Sequence, residues 1–348
     1  MLLNFLITNF GGELAALGAA FLWALSAVIY AHLGQKILPL ALNLSKDVIA
    51  IAFIALTLIV QGNYLPTDMN ALSLGFLLLS GVLGIGLGDT FYFEALNHLG
   101  ARRTLLLEAL APPLSALIAL IFLQETLSTG AWVGIFLTVL GVSWVISERV
   151  AGSDRKAVNP MILLANSENL TPQPPSLEGK GELDTPLLRG EGSDPSSIRQ
   201  RYHPIRGVSF ALVSALGQAS GAVLSRAALA ETAISPLWST LLRLIGGVLL
   251  LLLWIPLQKQ PYFGFKPLQS KQLLGIITIT ALFSTYLGIL LQQTALKYTA
   301  TGIAQSLLAT SPLFVLPIAI GMGEVVSPRA FLGVLVALGG IGLLFGNH

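Results

Sequence analysis

One apolar pattern occurs twice in this chain, at an interval of about 200 residues, and such a duplication restricts the fold to two related halves. Residues 87–128 and 287–327 keep one register, with one residue lost near the end of the second copy. The matched residues are Leu87-Gly88, Ala95-Leu96, Leu107, Ala109, Pro112, Ile118-Ala119, Glu125 and Ser128 in the first copy, and Leu287-Gly288, Ala295-Leu296, Leu307, Ala309, Pro312, Ile318-Ala319, Glu324 and Ser327 in the second.

Long apolar runs predict membrane-spanning helices in both halves. Hydrophobic residues make up 54% of the chain and charged residues 10%, and a bilayer-spanning helix needs about 20 apolar residues. Ten runs fit: 13–31, 41–60, 72–97, 104–123, 130–147, 207–229, 236–256, 272–296, 302–322 and 329–346. We expect an all-α membrane protein with ten transmembrane helices in two repeats, residues 13–149 and 207–346. The repeats are inverted because five spans turn the second half over, and transporters built this way bind substrate at the repeat interface.

Residues 150–206 separate the two halves and differ from both in composition. They contain seven prolines, seven acids and seven bases. Such a segment buries too little apolar surface to offset the entropy of the chain. We predict a disordered linker that transport does not require.

Composition and motifs disfavour several classes of function. A net charge of +2 without a basic cluster predicts no nucleic-acid partner, and without cysteine there is no disulfide or cysteine-based metal site. We predict no cofactor and no metal. A membrane enzyme is disfavoured because neither His-Glu-x-x-His nor Gly-x-Ser-x-Gly occurs, and a channel because no helix carries a regular series of acids. A membrane scaffold or sensor that uses the linker is the alternative to a transporter.

The repeated hairpin resembles the EamA-type drug/metabolite transporters. The pattern reads Ala95-Leu96, Pro112 and Glu125-Thr126-Leu127-Ser128, then Ala295-Leu296, Pro312 and Glu324-Val325-Val326-Ser327. The resemblance implies ten helices, alternating access, and export or exchange of a small metabolite across the cell (inner) membrane. It does not select among amino acids, sugars, phosphorylated metabolites and drugs. The long linker departs from the usual compact pattern of the family.

Charged side chains inside a membrane are costly and usually face a cavity, so each is a candidate for function. The candidates are Lys46, Asp89, Glu94, Glu108 and Arg243. Lys46, Glu94 and Glu108 fall on one side of the first half, where Lys46 can pair with a carboxylate. A purely structural pair, or extension of Lys46 to the membrane interface, is the alternative to a role in binding.

Arg243 differs because the predicted helices of the second half contain no acid. Its guanidinium stays charged and must meet Asp89 or Glu108 across the repeat interface, water, or an anionic ligand. Two interpretations stay open: Arg243 binds an anionic group of the substrate in a two-pronged manner, or it forms an ion pair with Asp89. In the empty state we expect Asp89 to be its partner.

Asp89 follows Gly84 and Gly88, whose spacing is typical of a close helix-packing face. Burial disfavours the charged form of a carboxyl group. Asp89 is therefore a candidate proton carrier, and proton coupling is a hypothesis for transport, although an ion pair with Arg243 would oppose that role.

Prolines stand at matching points of the two halves. Pro112 and Pro312 predict kinks in helices four and nine, and paired interruptions point to the central site; a packing kink without function is the other interpretation. Side chains suited to a polar small molecule are Trp23, Tyr92, Gln218, Tyr286, Gln292 and Gln305, with a packing role as the alternative for each. Glu125 and Glu324 are expected to cap helices five and ten.

Two arguments about orientation disagree. Basic residues concentrate on the linker side, whereas the loops on the side of the two termini contain only Arg226 and Lys297. The positive-inside rule then places the linker in the cytoplasm and both termini outside. The family resemblance implies that the termini are cytoplasmic.

Overall fold

In the residues that the structure describes, the chain forms ten helices, one of them described only in part. The structure is a computed structural model that describes residues 2–33, 37–62, 69–99, 101–147, 204–230, 232–257, 270–314, 317 and 327–346, and every regular element in these ranges is helical. The helices are α1 (Leu2–Leu33), α2 (Pro39–Val60), α3 (Ala71–Leu99), α4 (Ala101–Glu108 and Ala111–Phe122), α5 (Thr129–Ser147), α6 (Pro204–Leu229), α7 (Pro236–Trp254, followed by the 3₁₀ turn Ile255–Leu257), α8 (Lys271–Tyr298), α9 (Thr301–Leu308, continuing at 311–314) and α10 (Pro328–Phe345).

The predicted spans agree with the observed helices. Within the described residues, nine helices are long and apolar enough to cross a membrane, and each coincides with a predicted span. The tenth predicted span, 302–322, corresponds to α9, which is described only in its first part. The expectation of an all-α membrane protein is therefore confirmed. Helix α1 begins at Leu2 and bends at Phe10, whose φ of −127° and ψ of 27° are not helical; its apolar span starts at this bend, close to the predicted start at residue 13.

Most of the predicted linker lies outside the described residues, so its disorder stays a prediction. Its last three residues belong to α6, which begins at Pro204, because the first turn of a helix tolerates a residue without an amide hydrogen. Glu324, predicted to cap α10, also lies outside the described residues.

Contacts between the halves occur in reciprocal pairs. Helix α3 packs against α6 and α7 of the second half, while α8 packs against α1 and α2 of the first. In the same way α4 packs against α6, and α9 packs against α1. Helix α5 packs against its own equivalent, α10, and α2 against α7. The interface therefore runs between equivalent surfaces of the two halves.

Glycines allow α3 to approach α6 closely. A Cβ atom added to Gly221 would lie 3.1 Å from the Cα of Gly84, and one added to Gly217 would lie 3.4 Å from the Cα of Gly88. There is no room for side chains between these backbones. The predicted close-packing face at Gly84 and Gly88 is confirmed.

Hydroxyl side chains cap α5 and α10 at equivalent points. Ser128 Oγ accepts a hydrogen bond from the Ala131 amide at 3.1 Å, and Ser327 Oγ accepts one from the Ala330 amide at 3.1 Å. The prediction that Glu125 caps α5 is wrong. Ser128 is closer to the first turn of α5, which leaves the longer Glu125 side chain free to reach the second half.

Candidate functional site

A cavity of about 280 Å³ lies between the two halves, and eight helices of both halves supply most of its wall. Eleven of the twelve side chains predicted for the site contribute to this wall: Trp23, Lys46, Asp89, Tyr92, Glu108, Pro112, Gln218, Arg243, Gln292, Gln305 and Pro312. Side chains from both halves are thus brought together at the interface between them.

Tyr286, the twelfth candidate, lies elsewhere. Its hydroxyl forms a 2.9 Å hydrogen bond with Thr57 Oγ1, and its ring packs on Phe53, both on α2. The preceding residues Ser284 and Thr285 line the cavity instead. Successive side chains on a helix point in different directions, so Tyr286 faces α2. Glu94 is also absent from the cavity wall.

Lys46 on α2 binds two carboxylates at once. Its Nζ lies 2.8 Å from Asp47 Oδ1 and 2.8 Å from Asp89 Oδ2. The Lys46 and Asp47 side chains are 4% and 0% exposed, whereas Asp89 is 23% exposed and lines the cavity. Sequence reasoning overlooked Asp47, although an acid inside a membrane helix is itself the signal of a candidate.

Partners other than Arg243 occupy both oxygens of Asp89. Oδ2 accepts from Lys46 Nζ, and Oδ1 accepts from Gln218 Nε2 at 2.8 Å. The expected ion pair between Arg243 and Asp89 is therefore wrong for this conformation. Lys46, from the neighbouring helix of the same half, takes the position that the guanidinium was predicted to hold.

Arg243 lies in the cavity wall without a directly bonded acid. The residue is 1% exposed, its Nη1 donates to Gln292 Oε1 at 3.0 Å, and its Nε is buried without a hydrogen-bond partner. A Cβ atom at Gly84 would lie 2.9 Å from Nη2, so glycine at this position makes room for the guanidinium. Because an arginine keeps its charge when buried, Arg243 places a positive charge in this wall.

Glu108 and a hydroxyl cluster complete the polar lining. Glu108 ends the first segment of α4, and its Oε1 is buried without a hydrogen-bond partner. Ser284 Oγ on α8 donates to the Tyr30 hydroxyl on α1 at 2.9 Å, and Thr285 lies next to both. Sequence reasoning missed Tyr30, Ser284 and Thr285. The adjacent Ser284 and Thr285 inside an apolar span were the signal that could have indicated this cluster.

Helices around the cavity are irregular at matching points. Wide π-type turns occur at Gly81–Asp89 in α3 and at Leu282–Leu287 in α8, and such turns are frequent at functional sites. Helices α4 and α9 each break shortly before Pro112 and Pro312. Each proline stands in the first turn of a new segment, where no backbone hydrogen bond is lost. The predicted kinks are therefore complete breaks.

Two equivalent contacts support the cavity wall. Trp23 on α1 donates from Nε1 to the carbonyl oxygen of Ser284 at 3.0 Å, and this nitrogen would lie 2.5 Å from a Cβ atom at Gly288. Gln218 on α6 packs in the same way on Gly88, with its Nε2 3.3 Å from where a Cβ atom would lie. The matched glycines of the duplicated pattern thus make space for two site side chains.

An ionic cluster outside the cavity wall ties the two halves together. Arg226 Nε donates to Glu125 Oε1 at 2.6 Å, and its Nη1 donates to the carbonyl oxygens of Leu296 and Lys297 at 2.9 and 2.7 Å. Glu125 Oε2 accepts from the Thr301 amide at 2.9 Å. We call these five residues the clasp. It fixes the turn between α8 and α9 to the end of α6 and to the loop after α4.

Comparison with known proteins agrees with this architecture. The sequence model of the EamA-like transporter family matches residues 10–147 and 205–346. The chain belongs to this family. The resemblance seen in the repeated hairpin is thereby confirmed, and the chain is a multi-pass integral membrane protein of a transporter family. A solved crystal structure of a protein has a TM-score of 0.62 at 14% sequence identity over 96% of each chain, which is a likeness of fold alone. No curated protein matched the sequence.

Proposed function

We propose that this EamA-family protein is a secondary transporter that moves a small polar metabolite by alternating access. The cavity between the repeats carries the proposal, because Lys46 and Asp89 of one half and Arg243 and Gln292 of the other line the same space. A polar site enclosed by apolar helices suits a transported solute. No enzymatic activity is proposed, since the family consists of transporters.

The membrane arrangement is part of the proposal. We assign ten spans in two inverted repeats, with α9 as the span beyond the nine that the described residues contain. Five spans per half turn the second half over, and the reciprocal packing of α3 on α6 and of α8 on α1 supports this relation. The cell (inner) membrane is the proposed location.

The substrate carries an anionic group and is amino-acid-like. Among the described residues, Arg243 has a buried Nε without a partner and donates to one neutral amide, so a carboxylate or phosphate is its natural ligand. Glu108 has a buried oxygen without a partner and suits an ammonium group. The cavity volume of about 280 Å³ limits the substrate to a small molecule.

The clasp supports alternating access by closing one side. It joins the end of α6, the loop after α4 and the turn between α8 and α9, all at one end of the helices. Helix breaks and π-type turns border the cavity and provide places at which helices can bend.

Metabolite comparison tests the proposal. Cells that express the wild-type chain, the Arg243→Gln variant or no added protein are grown side by side, and small metabolites are measured inside the cells and in the medium. We expect one or a few anionic or zwitterionic metabolites to be redistributed by the wild type alone, and then to cross proteoliposome membranes with the purified protein. Equal profiles in all three cultures, with no transport in proteoliposomes, would favour a scaffold or sensor.

A further inference from the structure

Two buried oxygen atoms on α2 have no hydrogen-bond donor. They are Asn43 Oδ1 and Asp47 Oδ2, and both residues are 0% exposed. The amide nitrogen of Asn43 is already engaged, since it donates to the Ile85 carbonyl at 2.9 Å and to Thr90 Oγ1 at 3.1 Å. Residues four apart on a helix share a face. Buried polar groups are almost always hydrogen-bonded, and these two acceptors share one face of α2, so a donor on one of the two residues would satisfy the other.

Among the bonded side chains of this region acids outnumber bases, because Arg243, which lines the same cavity, bonds neither carboxylate. Lys46 is the one cation bonded to Asp47 and Asp89, so this cluster of three described residues has one net negative charge. The other hydrogen bond to Asp89 comes from Gln218, which is neutral. A net charge among buried groups is costly unless a further partner neutralises it.

We propose that Asp47 is the proton-binding site of this transporter. A proton from water binds Oδ2 and converts the carboxylate to a carboxylic acid, whose O–H then donates to Asn43 Oδ1. The cluster becomes neutral, while Lys46 keeps its hydrogen bond to Asp89. This site rests on the transport function proposed above and specifies the ion that would be coupled to it.

Asp47 is a better proton-binding site than Asp89, which the sequence predicts as the candidate proton carrier. Both oxygens of Asp89 already accept hydrogen bonds, from Lys46 and Gln218. A metal cation is disfavoured because the Lys46 amine stands 2.8 Å from both carboxylates. Asp89 is 23% exposed and lines the cavity, so its contact with Lys46 gives water-borne protons a route to Asp47.

The other charged and titratable groups around α2 determine how protonation of Asp47 affects substrate binding. Besides Asp47, the described charged and titratable side chains on α2 and the helices around it are Glu13 and Tyr30 on α1, Lys46 on α2, Asp89, Tyr92, Glu94 and His98 on α3, Arg243 on α7, and Lys271, Tyr286, Lys297 and Tyr298 on α8. Glu108 on α4 lies across the cavity. Removing one negative charge leaves the Arg243 guanidinium more attractive to an anion. Proton and anionic substrate should therefore strengthen each other's binding equally.

Infrared difference spectroscopy on the full-length protein in liposomes tests the site without any substrate. The probe is the proton itself, followed through the carbonyl stretch of a protonated carboxyl as the pH is stepped. We expect one such band in the wild type that is lost in Asp47→Asn. In Asp89→Asn the remaining Lys46–Asp47 pair is already neutral, so the band should move to more acidic pH. Glu94→Gln and Glu108→Gln should keep the Asp47-dependent band.

Several outcomes would overturn the proposal. A band that persists in Asp47→Asn places the proton elsewhere, and a titration displaced when choline is replaced by Na⁺ indicates a metal-cation site. If Asp47→Asn does not fold, Asn43→Leu provides the test. Loss of the Asn43 Oδ1 acceptor must shift the carboxyl band of Asp47, and an unshifted band would refute the hydrogen bond between the two residues. A titrating Asp47 in a protein that transports nothing would refute the proposed function alone. Transport without this titration would refute the proton site alone.

Discussion

Breaking the clasp should open the cavity toward the side that the clasp closes. Glu125→Gln removes the charge that Arg226 contacts at 2.6 Å but keeps one oxygen for the Thr301 amide. A hydrogen bond between charged groups contributes about 1.5–3 kcal/mol. Glu125 and Arg226 are 17% and 18% exposed, so solvent screening lowers this to about 1–2 kcal/mol. Since 1.4 kcal/mol corresponds to a tenfold change, we expect the open state to gain about 5- to 30-fold in population.

Cysteine labelling measures this shift directly, because the chain has no cysteine of its own. A single cysteine at Ser311, in the cavity wall, is labelled with a membrane-impermeant maleimide in right-side-out and inverted vesicles. Glu125→Gln should accelerate labelling from the clasp side and slow it from the other. Arg329→Gln, which changes an exposed charge at the start of α10, is the control. If Glu125→Gln and Arg226→Gln label no faster than this control, the clasp does not close the cavity.

Three further predictions concern packing, binding and the linker. Gly81→Ala should destabilise the protein by about 1–3 kcal/mol, because the added Cβ would overlap the backbone of Arg243. The control is Gly75→Ala on the same helix, whose Cβ would meet nothing within 4 Å. Equal melting temperatures of the two variants would refute this prediction. Arg243→Lys keeps the positive charge but loses the paired N–H donors of the guanidinium, so the identified substrate should stabilise this variant less, without loss of folding. Arg243→Gln should abolish transport. Undiminished stabilisation by substrate in Arg243→Gln would place the site elsewhere. Deletion of 155–200 should leave membrane insertion and transport nearly intact, and an inactive or unstable product would show that this segment is required.

The helices, and the fact that the site residues lie close together, could be predicted from the sequence because the chain is duplicated. A duplicated unit places matched residues at related positions on both sides of one interface, so Pro112 with Pro312, and Gly88 with Gly288, mark a single central region before any coordinates are known. Apolar run length then fixes the spans, because the bilayer requires it.

Side-chain partners could not be obtained in the same way. Arg243 was expected to meet Asp89, yet Lys46 and Gln218 occupy both carboxylate oxygens. Glu125 was expected to cap its own hairpin, yet it reaches Arg226 and the Thr301 amide. Each pairing depends on how far a helix of one half is rotated against the other, and local periodicity contains no information about that angle. Asp47 adjoins Lys46 on α2, and the sequence alone does not show that Asp47 and Asp89 share this one lysine.

Helices α5 and α10 pack through closely touching backbones at the side of the cavity. A Cβ atom at Gly141 would lie 2.6 Å from the Gly333 carbonyl, and one at Gly340 would lie 2.8 Å from the Gly134 carbonyl, so these backbones touch without intervening side chains and cannot approach further. Val142 is the one residue of the two helices in the cavity wall. The breaks and π-type turns instead occur in α3, α4, α8 and α9. We therefore expect the proposed alternating access to move those four helices around a constant α5–α10 contact, and to require release of the clasp, which fixes the turn between α8 and α9.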